Sequence, residues 1–360
     1  MPLALHWFLP SHGDGRHVDA RKSNTAGPRR APDLNYLAQV ARAADGAGFA
    51  GVLTPAGLFC EDPWLLASAL ARETRRLRFM VAFRPGLMSP TLAAQMSATC
   101  QRISDGRLLL NVVTGGDPEE QRRYGDWLDH DQRYARTDEF LAVMRGVWSG
   151  DATTFEGEHL RVERALLTRP PEPPPPIFLG GSSTSAKETA ARHADVYLAW
   201  GEPPPQLAEH VEKARQMAAE QGRTLSFGTR FHVISRDTSE EAWGEAERLI
   251  EGMDPELIAA TQRRLGRSDS EGQRRMAALH GGSTDGLEVY PNVWAGYGLV
   301  RQGAGTALVG SHEEVADRLA EYYRLGIEHV ILSGQPHLEE AHWIGEGVLP
   351  LLRERGLLAE

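Results

Sequence analysis

Cysteine is nearly absent: Cys60 and Cys100 are the only two in 360 residues. Such a chain has no disulfide framework, neither thiol belongs to a C-x-x-C pair, and the reduced thiols of a cytoplasm fit best. Long apolar runs are missing as well. The stretch from Met1 to Pro10 breaks at S-H-G-D-G without a basic leader, and no later run approaches the length of a membrane span. The expectation is a cytoplasmic protein with no membrane segment. Basic residues are outnumbered, 39 Lys and Arg against 49 Asp and Glu, so a nucleic acid backbone would be repelled on average. That balance argues against nucleic acid but not against a small anion, because a local arginine cluster outweighs distant charge once salt screens it.

The hydrophobic fraction is 41%, enough to offset chain entropy in an ordinary globular domain. Apolar runs rich in Val, Leu, Ile and Phe alternate with stretches of helical period, the pattern of doubly covered strands joined by crossover helices. Such runs start at Ala4, Phe49, Leu77, Arg107, Ile177, Val196, Phe227 and His329. Eight is the number that closes a (β/α)8 barrel, so the fold class is α/β, a TIM barrel, with 1–360 as one domain. Asp62-Pro63 and Ser89-Pro90 place an acceptor before a proline at a helix start, and Gly48 and Gly326 mark helix ends. Two segments depart from the repeat. Residues 150–176 read as a hairpin followed by a proline-rich extended connector. Residues 252–310 read as an arginine-rich, then glycine-rich insertion carrying a mobile lid at the barrel mouth.

Active sites of such barrels lie at the C-terminal ends of the strands. There the sequence places His12, Cys60, Asn111, the G-G-S-S turn with Ser182 and Ser183, Trp200, Arg230, His232 and His337. The turn opens a helix, with Ser185 and Glu188 spaced as a capping box, and suits either a phosphate or a plain serine-rich helix start. Arg230 and His232 are two apart on a strand and share a face, where inward charge calls for an anionic ligand or a buried carboxylate. Arg301 lies in a glycine-rich segment able to fold over an anion, or is solvated. Cys60 precedes a helix start but has no His-Asn or His-Asp pattern tied to it, which argues for a lining residue over a nucleophile. His337 and His342 would sit about 140° apart around a helix, so no metal site is read.

Nine strings in order cover nearly the whole chain: H-W-F-L-P-S-H-G-D-G, C-E-D-P-W, N-V-V-T-G-G-D-P-E-E, F-L-G-G-S-S, W-G-E-P-P, R-F-H-V-I, Q-R-R-M-A-A-L-H, L-V-R-Q-G-A-G-T-A-L-V-G and S-G-Q-P-H-L-E-E-A. Together they resemble the flavin-dependent alkanesulfonate monooxygenases of the bacterial luciferase-like class. The resemblance implies a two-component system, in which a separate NAD(P)H-dependent reductase supplies reduced FMN as a co-substrate. The monooxygenase then uses dioxygen to cleave the C–S bond of an organosulfonate, giving aldehyde and sulfite in a sulfur-assimilation role. It implies a homodimer or homotetramer.

By the same resemblance, flavin contacts fall on Cys60, Asn111, Arg133, Tyr134, Ser182 and Ser183. Substrate contacts fall on His12, Trp200, Arg230, His232, Arg301, Gln335 and His337. Within that set, Arg230 and Arg301 would bind the sulfonate and shield the flavin from water, while His232 and His337 would orient and move protons. Where Gln335 stands, the family usually carries tyrosine, and an amide cannot supply a phenol's proton. A methanesulfonate, sulfone or sugar sulfonate therefore fits as well as a general alkanesulfonate. The remaining alternatives are oxygenation of a non-sulfonate, hydride transfer with a deazaflavin, and a non-catalytic flavin carrier.

Overall fold

In the computed structural model, which describes residues 2–18 and 30–358, all eight apolar runs are strands. In chain order the strands are β1 (Ala4–Phe8), β2 (Gly51–Thr54), β3 (Arg78–Phe83), β4 (Leu108–Val112), β5 (Thr153–Glu156), β6 (Arg161–Ala165) and β7 (Ile177–Gly180). They continue with β8 (Val196–Trp200), β9 (Ser226–Arg236), β10 (Glu288–Tyr290), β11 (Val293–Trp294), β12 (Ala307–Ser311) and β13 (Ile327–Ser333). Parallel pairing runs β9, β13, β1, β2, β3, β4, β7, β8, and a β8–β9 ladder closes the ring into an eight-stranded barrel. Strand alternation sends Leu53, Met80, Leu109, Phe178, Val196 and Ile331 into the barrel lumen, where they form one apolar cluster. The opposite faces pack against the helices in a second, larger cluster.

The turn chemistry is as the sequence implies. Asp62 accepts from the Trp64 and Leu65 amides, Ser89 accepts from Leu92, and Gly48 and Gly326 have φ of 93° and 91°. β5 and β6 form the isolated hairpin, and the proline-rich stretch after it has no regular structure. Among the described residues no helix is long and apolar enough to cross a membrane.

The segment 252–310 is far more ordered in architecture than an irregular insertion. It contains helices Pro255–Leu265 and Glu271–His280, then β10, β11 and β12. β9 explains why. Its first half pairs with β8 and β13, but it runs on past the barrel, and its last residues take β12 as a parallel neighbour from His232↔Ala307 to Arg236↔Ser311. The A-L-V of β12 is fully buried, and glycines on either side of it had disguised a short strand as the end of a loop.

At the N-terminal end of the barrel Asp45 joins two units. Its carboxylate accepts the amides of Arg75, Arg76 and Leu77 at 2.8, 3.0 and 2.7 Å, fixing the chain as it enters β3. Burial alone would raise the Asp45 carboxyl, but these three backbone donors and Arg76 hold it below its ordinary value. A depressed carboxylate contributes stability above the unfolded-state value and loses it as pH falls through the folded one. Asp45→Ala is therefore expected to destabilise the fold by about 1–3 kcal/mol at neutral pH in urea unfolding, with the gap to wild type shrinking below about pH 4. A gap independent of pH would contradict the assignment.

Candidate active site

A cavity of about 650 Å³ opens at the C-terminal ends of the strands and gathers His12, Arg230, His232, Arg301 and His337 in its walls. Arg230 and His232 reach it because they occupy alternate positions of β9, beside Ile331 and Ser333 of β13. His12 arrives on the loop after β1, His337 starts the helix His337–Trp343 after β13, and Arg301 follows the short 3-10 turn Gly296–Leu299. Phe8, Leu58, Phe59 and Val300 supply the apolar part of the wall.

Arg230 is the unusual member. Its Nε is sealed from solvent without a hydrogen-bond partner, and among the described residues it forms no ion pair. Its guanidinium carbon lies 4.3 Å from the centre of the Phe8 ring, a cation–π contact worth roughly 0.5–2 kcal/mol. Burial, and then the nearby charge of Arg301, push its pKa down to about 10. A buried cation with no ion pair among the described residues is costly to hold in the free protein.

His232 is locked. Its Nε2 lies 3.2 Å from the Ala304 carbonyl, which can only accept, so Nε2 carries the hydrogen and Nδ1 accepts from the Ser333 hydroxyl at 2.9 Å. Its ring stacks on Tyr297 with centres 3.8 Å apart. Burial first, then Arg301, Arg230 and His337, hold it well below the usual histidine value, so it is a neutral ring at physiological pH. His337 is buried on the other wall, with Nδ1 3.0 Å from Asp14 Oδ1.

Trp200 and Gln335 are not in this wall. Trp200 is Arg230's register neighbour, and the helix Glu271–His280 covers it: a Cβ added to Gly272 would sit 3.1 Å from its ring and 3.2 Å from Ser182 Oγ. Gln335 is buried beneath the rim, its amide donating to the His17 carbonyl at 3.3 Å. Cys60 sits half-buried beside Ser11, with its thiol raised by burial, which leaves it protonated and unsuited to nucleophilic attack.

The other set converges on the G-G-S-S turn. Ser183, not Ser185, caps the helix Thr184–His193 by accepting from Ala186, and Ser185 instead donates to Asp131. The reason is that the helix begins two residues earlier than the S-x-x-E spacing suggests. Tyr134 is buried against this turn, since a Cβ at Gly181 would lie 2.5 Å from its hydroxyl. Arg133 is buried, donates to the carbonyls of Leu128 and Gly115 and approaches Asp269, and keeps an unpartnered Nε. Asn111 lies two residues beyond the lumen residue Leu109 and so faces the lumen near its mouth.

Sequence reasoning missed Asp14, Tyr36, Ser333 and Tyr297, which are tied to the site through His232 and His337. Asp14 had a signal, because it stands in S-H-G-D-G directly after β1.

The model of the luciferase-like monooxygenase family matches residues 3–329. The chain belongs to that family. Its structure is similar to that of riboflavin lyase (TM-score 0.81, 24% identity, covering 100% of this chain and 93% of that one). It is similar to the EDTA monooxygenase EmoA of Chelativorans sp. BNC1 (0.80, 21%, 100% and 95%) and to DmoA of Hyphomicrobium sulfonivorans (0.76, 18%, 100% and 90%). At these identities the likeness carries the barrel, and the site must be argued from its own residues.

In this luciferase-like monooxygenase the uncompensated guanidinium sets a stability–function trade-off. Arg230→Met is expected to raise the unfolding free energy by about 1 kcal/mol or more while removing protection of the fold by a bound anion. A loss of stability in urea unfolding would show that Arg230 is already satisfied in the free protein.

Proposed function

We propose that this luciferase-like monooxygenase cleaves the C–S bond of small organosulfonates, using reduced FMN delivered by a separate NAD(P)H-dependent reductase. The observation that carries the reading is Arg230, a guanidinium without an acid partner that shares one cavity with Arg301. Arg230 and Arg301, in a wall whose acids include Glu119 paired with Arg123 and Glu120 paired with Arg84 and whose apolar part is Phe8, Leu58, Phe59 and Val300, suit a compact anionic head with a short apolar tail.

The residues at the G-G-S-S turn fit FMN. Ser182, Ser183 and the helix N-terminus offer donors to a phosphate, with the Tyr134 hydroxyl close by. Asn111 would meet the ring at the lumen mouth, and the Cys60 thiol would stand beside it as a neutral, oxidation-resistant wall. When bound, reduced FMN supplies the two electrons that activate dioxygen, and the balance is aldehyde, sulfite, oxidised FMN and water.

The protein's part is binding, orientation and proton handling. Arg230 and Arg301 hold the sulfonate oxygens, Arg301 from the segment that closes the cavity, and the aromatic and aliphatic walls keep water out. His12 borders the bound head. With both ring nitrogens engaged, His232 is placed in an orienting role, fixing the Ala304 loop and the Ser333 hydroxyl. His337 is placed at proton transfer, and Trp200 and Gln335 act as supports behind the wall. A homodimer or homotetramer is part of the proposal.

A carboxylate is the second reading, because the same guanidiniums accept it and the chain is similar to an EDTA monooxygenase. Mixing anaerobic reduced FMN and protein with aerated alkanesulfonates, methanesulfonate, a sulfone or a polycarboxylate, and then measuring sulfite and aldehyde, separates the two. Sulfite from at least one sulfonate is expected. Arg301→Ala should abolish that sulfite while changing the Kd for reduced FMN by less than about threefold, whereas equal loss of both would contradict its assignment to the sulfonate.

A further inference from the structure

Of the three imidazoles in the cavity wall, those of His232 and His337 are held in opposite ways. Both nitrogens of His232 are spent on protein partners. Among the described residues His337 uses only one. Its Nδ1 and its backbone N–H both reach the carboxylate of Asp14, at 3.0 Å to Oδ1 and 2.7 Å to Oδ2. Asp14 also accepts from the Gly15 amide at 2.8 Å and from the Tyr36 hydroxyl. The three donors whose roles do not depend on a tautomer, the His337 and Gly15 amides and the Tyr36 hydroxyl, already engage both oxygens of a carboxylate that is only 2% exposed, which favours its ionised form as the partner of Nδ1.

Tyr36 is fixed in turn. Arg30 Nη1 donates to its hydroxyl at 3.3 Å, and the same guanidinium grips both oxygens of Glu339, which lies two residues after His337 on the same helix. The loop after β1, the helix Leu34–Ala47 and the helix His337–Trp343 thus meet in one closed network around Asp14. Burial opposes a charged Asp14, but His337 and Tyr36 more than offset it and keep the carboxyl well below its ordinary range.

We propose that Asp14 is a positioning residue: it fixes His337 with the hydrogen on Nδ1, so that the Nε2 lone pair faces the cavity, and Tyr36 with Arg30 and Glu339 holds it there. An ionised acceptor on Nδ1 dictates the tautomer, as a buried aspartate does for the base of a hydrolytic triad. Of His232 and His337, His337 is then the one able to exchange a proton with a bound molecule without breaking a protein hydrogen bond. The proton-exchange part rests on the proposed oxygenase reading; the tautomer does not.

The test uses the full chain labelled with 15N-histidine, with His337 assigned as the nitrogen pair missing from His337→Gln. Wild type is expected to show a protonated Nδ1 and a bare Nε2 at His337, and this spectrum alone overturns the proposal if the hydrogen sits on Nε2. Asp14→Asn, whose amide can turn its NH2 toward Nδ1, is expected to move the hydrogen to Nε2. It should also lower kcat on the order of 100-fold or more, with the Kd for reduced FMN within about twofold. Tyr36→Phe should keep the wild-type tautomer and lower kcat about fivefold, through a looser Asp14. A wild-type tautomer persisting in Asp14→Asn, as a purely structural cap on the helix would give, also overturns the proposal. If wild type releases no sulfite from any sulfonate, the oxygenase reading fails while the tautomer measurement still decides this one.

Discussion

The arrangement of the barrel mouth turns on Arg230, which among the described residues forms no ion pair even though Asp117, Glu119 and Glu120 line the same cavity. Its position on β9 leaves it no choice of face: two residues from His232 and aligned with Trp200 on one side and Ile331 on the other, it must point into the lumen. The Phe8 ring supports it but cannot neutralise it. Its field and that of Arg301 then act on everything near them. They add to burial in keeping His232 neutral, and a neutral ring wedged between the Ala304 carbonyl and the Ser333 hydroxyl becomes scaffold. A carboxylate paired with Arg230 would have relieved that field with the protein's own charge.

β9 also couples the barrel to its most elaborate connection. Because the strand outruns β13, β12 can dock on its end, and that docking holds the 296–306 stretch bearing Tyr297, Arg301 and Ala304 over the cavity. The helix Glu271–His280 is anchored separately, by Arg275 gripping the buried Glu202 at 2.7 and 2.6 Å just after β8. That grip sets Gly272 against Trp200 and Ser182, where a side chain would not fit without movement. One segment therefore borders both the cavity and the G-G-S-S turn.

The eight barrel strands were legible because each is a short, doubly buried apolar run, and the caps at Asp62, Ser89, Gly48 and Gly326 were legible because their chemistry is local. The convergence of His12, Arg230, His232, Arg301 and His337 followed from the one rule that such barrels work at their strand ends. β12 was hidden because three apolar residues between glycines carry no period, and only the excess length of β9 creates a partner for them. The start of the helix Thr184–His193 was misplaced because Ser182, Ser183 and Ser185 offer competing caps, and strand geometry, invisible in the sequence, selects Ser183. Asp14 and Tyr36 meet across 22 positions, and Asp14 and His337 across 323, so no local pattern could pair them.

The two ends of the site differ in the kind of donor they offer, and the difference bears on which anion goes where. At the G-G-S-S turn the charged Arg133 is largely consumed by two carbonyls and Asp269, which leaves hydroxyls and the helix N-terminus as the main recognition elements. In the proposed reading such a site binds a flavin phosphate through many modest hydrogen bonds and lets it leave after each turnover. In the cavity the donors proposed for the anion are the guanidiniums of Arg230 and Arg301, in a partly apolar wall that also carries Arg123, Arg264, Asp117, Glu119 and Glu120, and each hydrogen bond there is stronger once water is expelled. A compact anion with a short apolar tail meets both conditions, whereas a more highly charged ligand would bring more water than the wall can displace. In the proposed reading this partition keeps substrate and flavin phosphate from competing for one pocket.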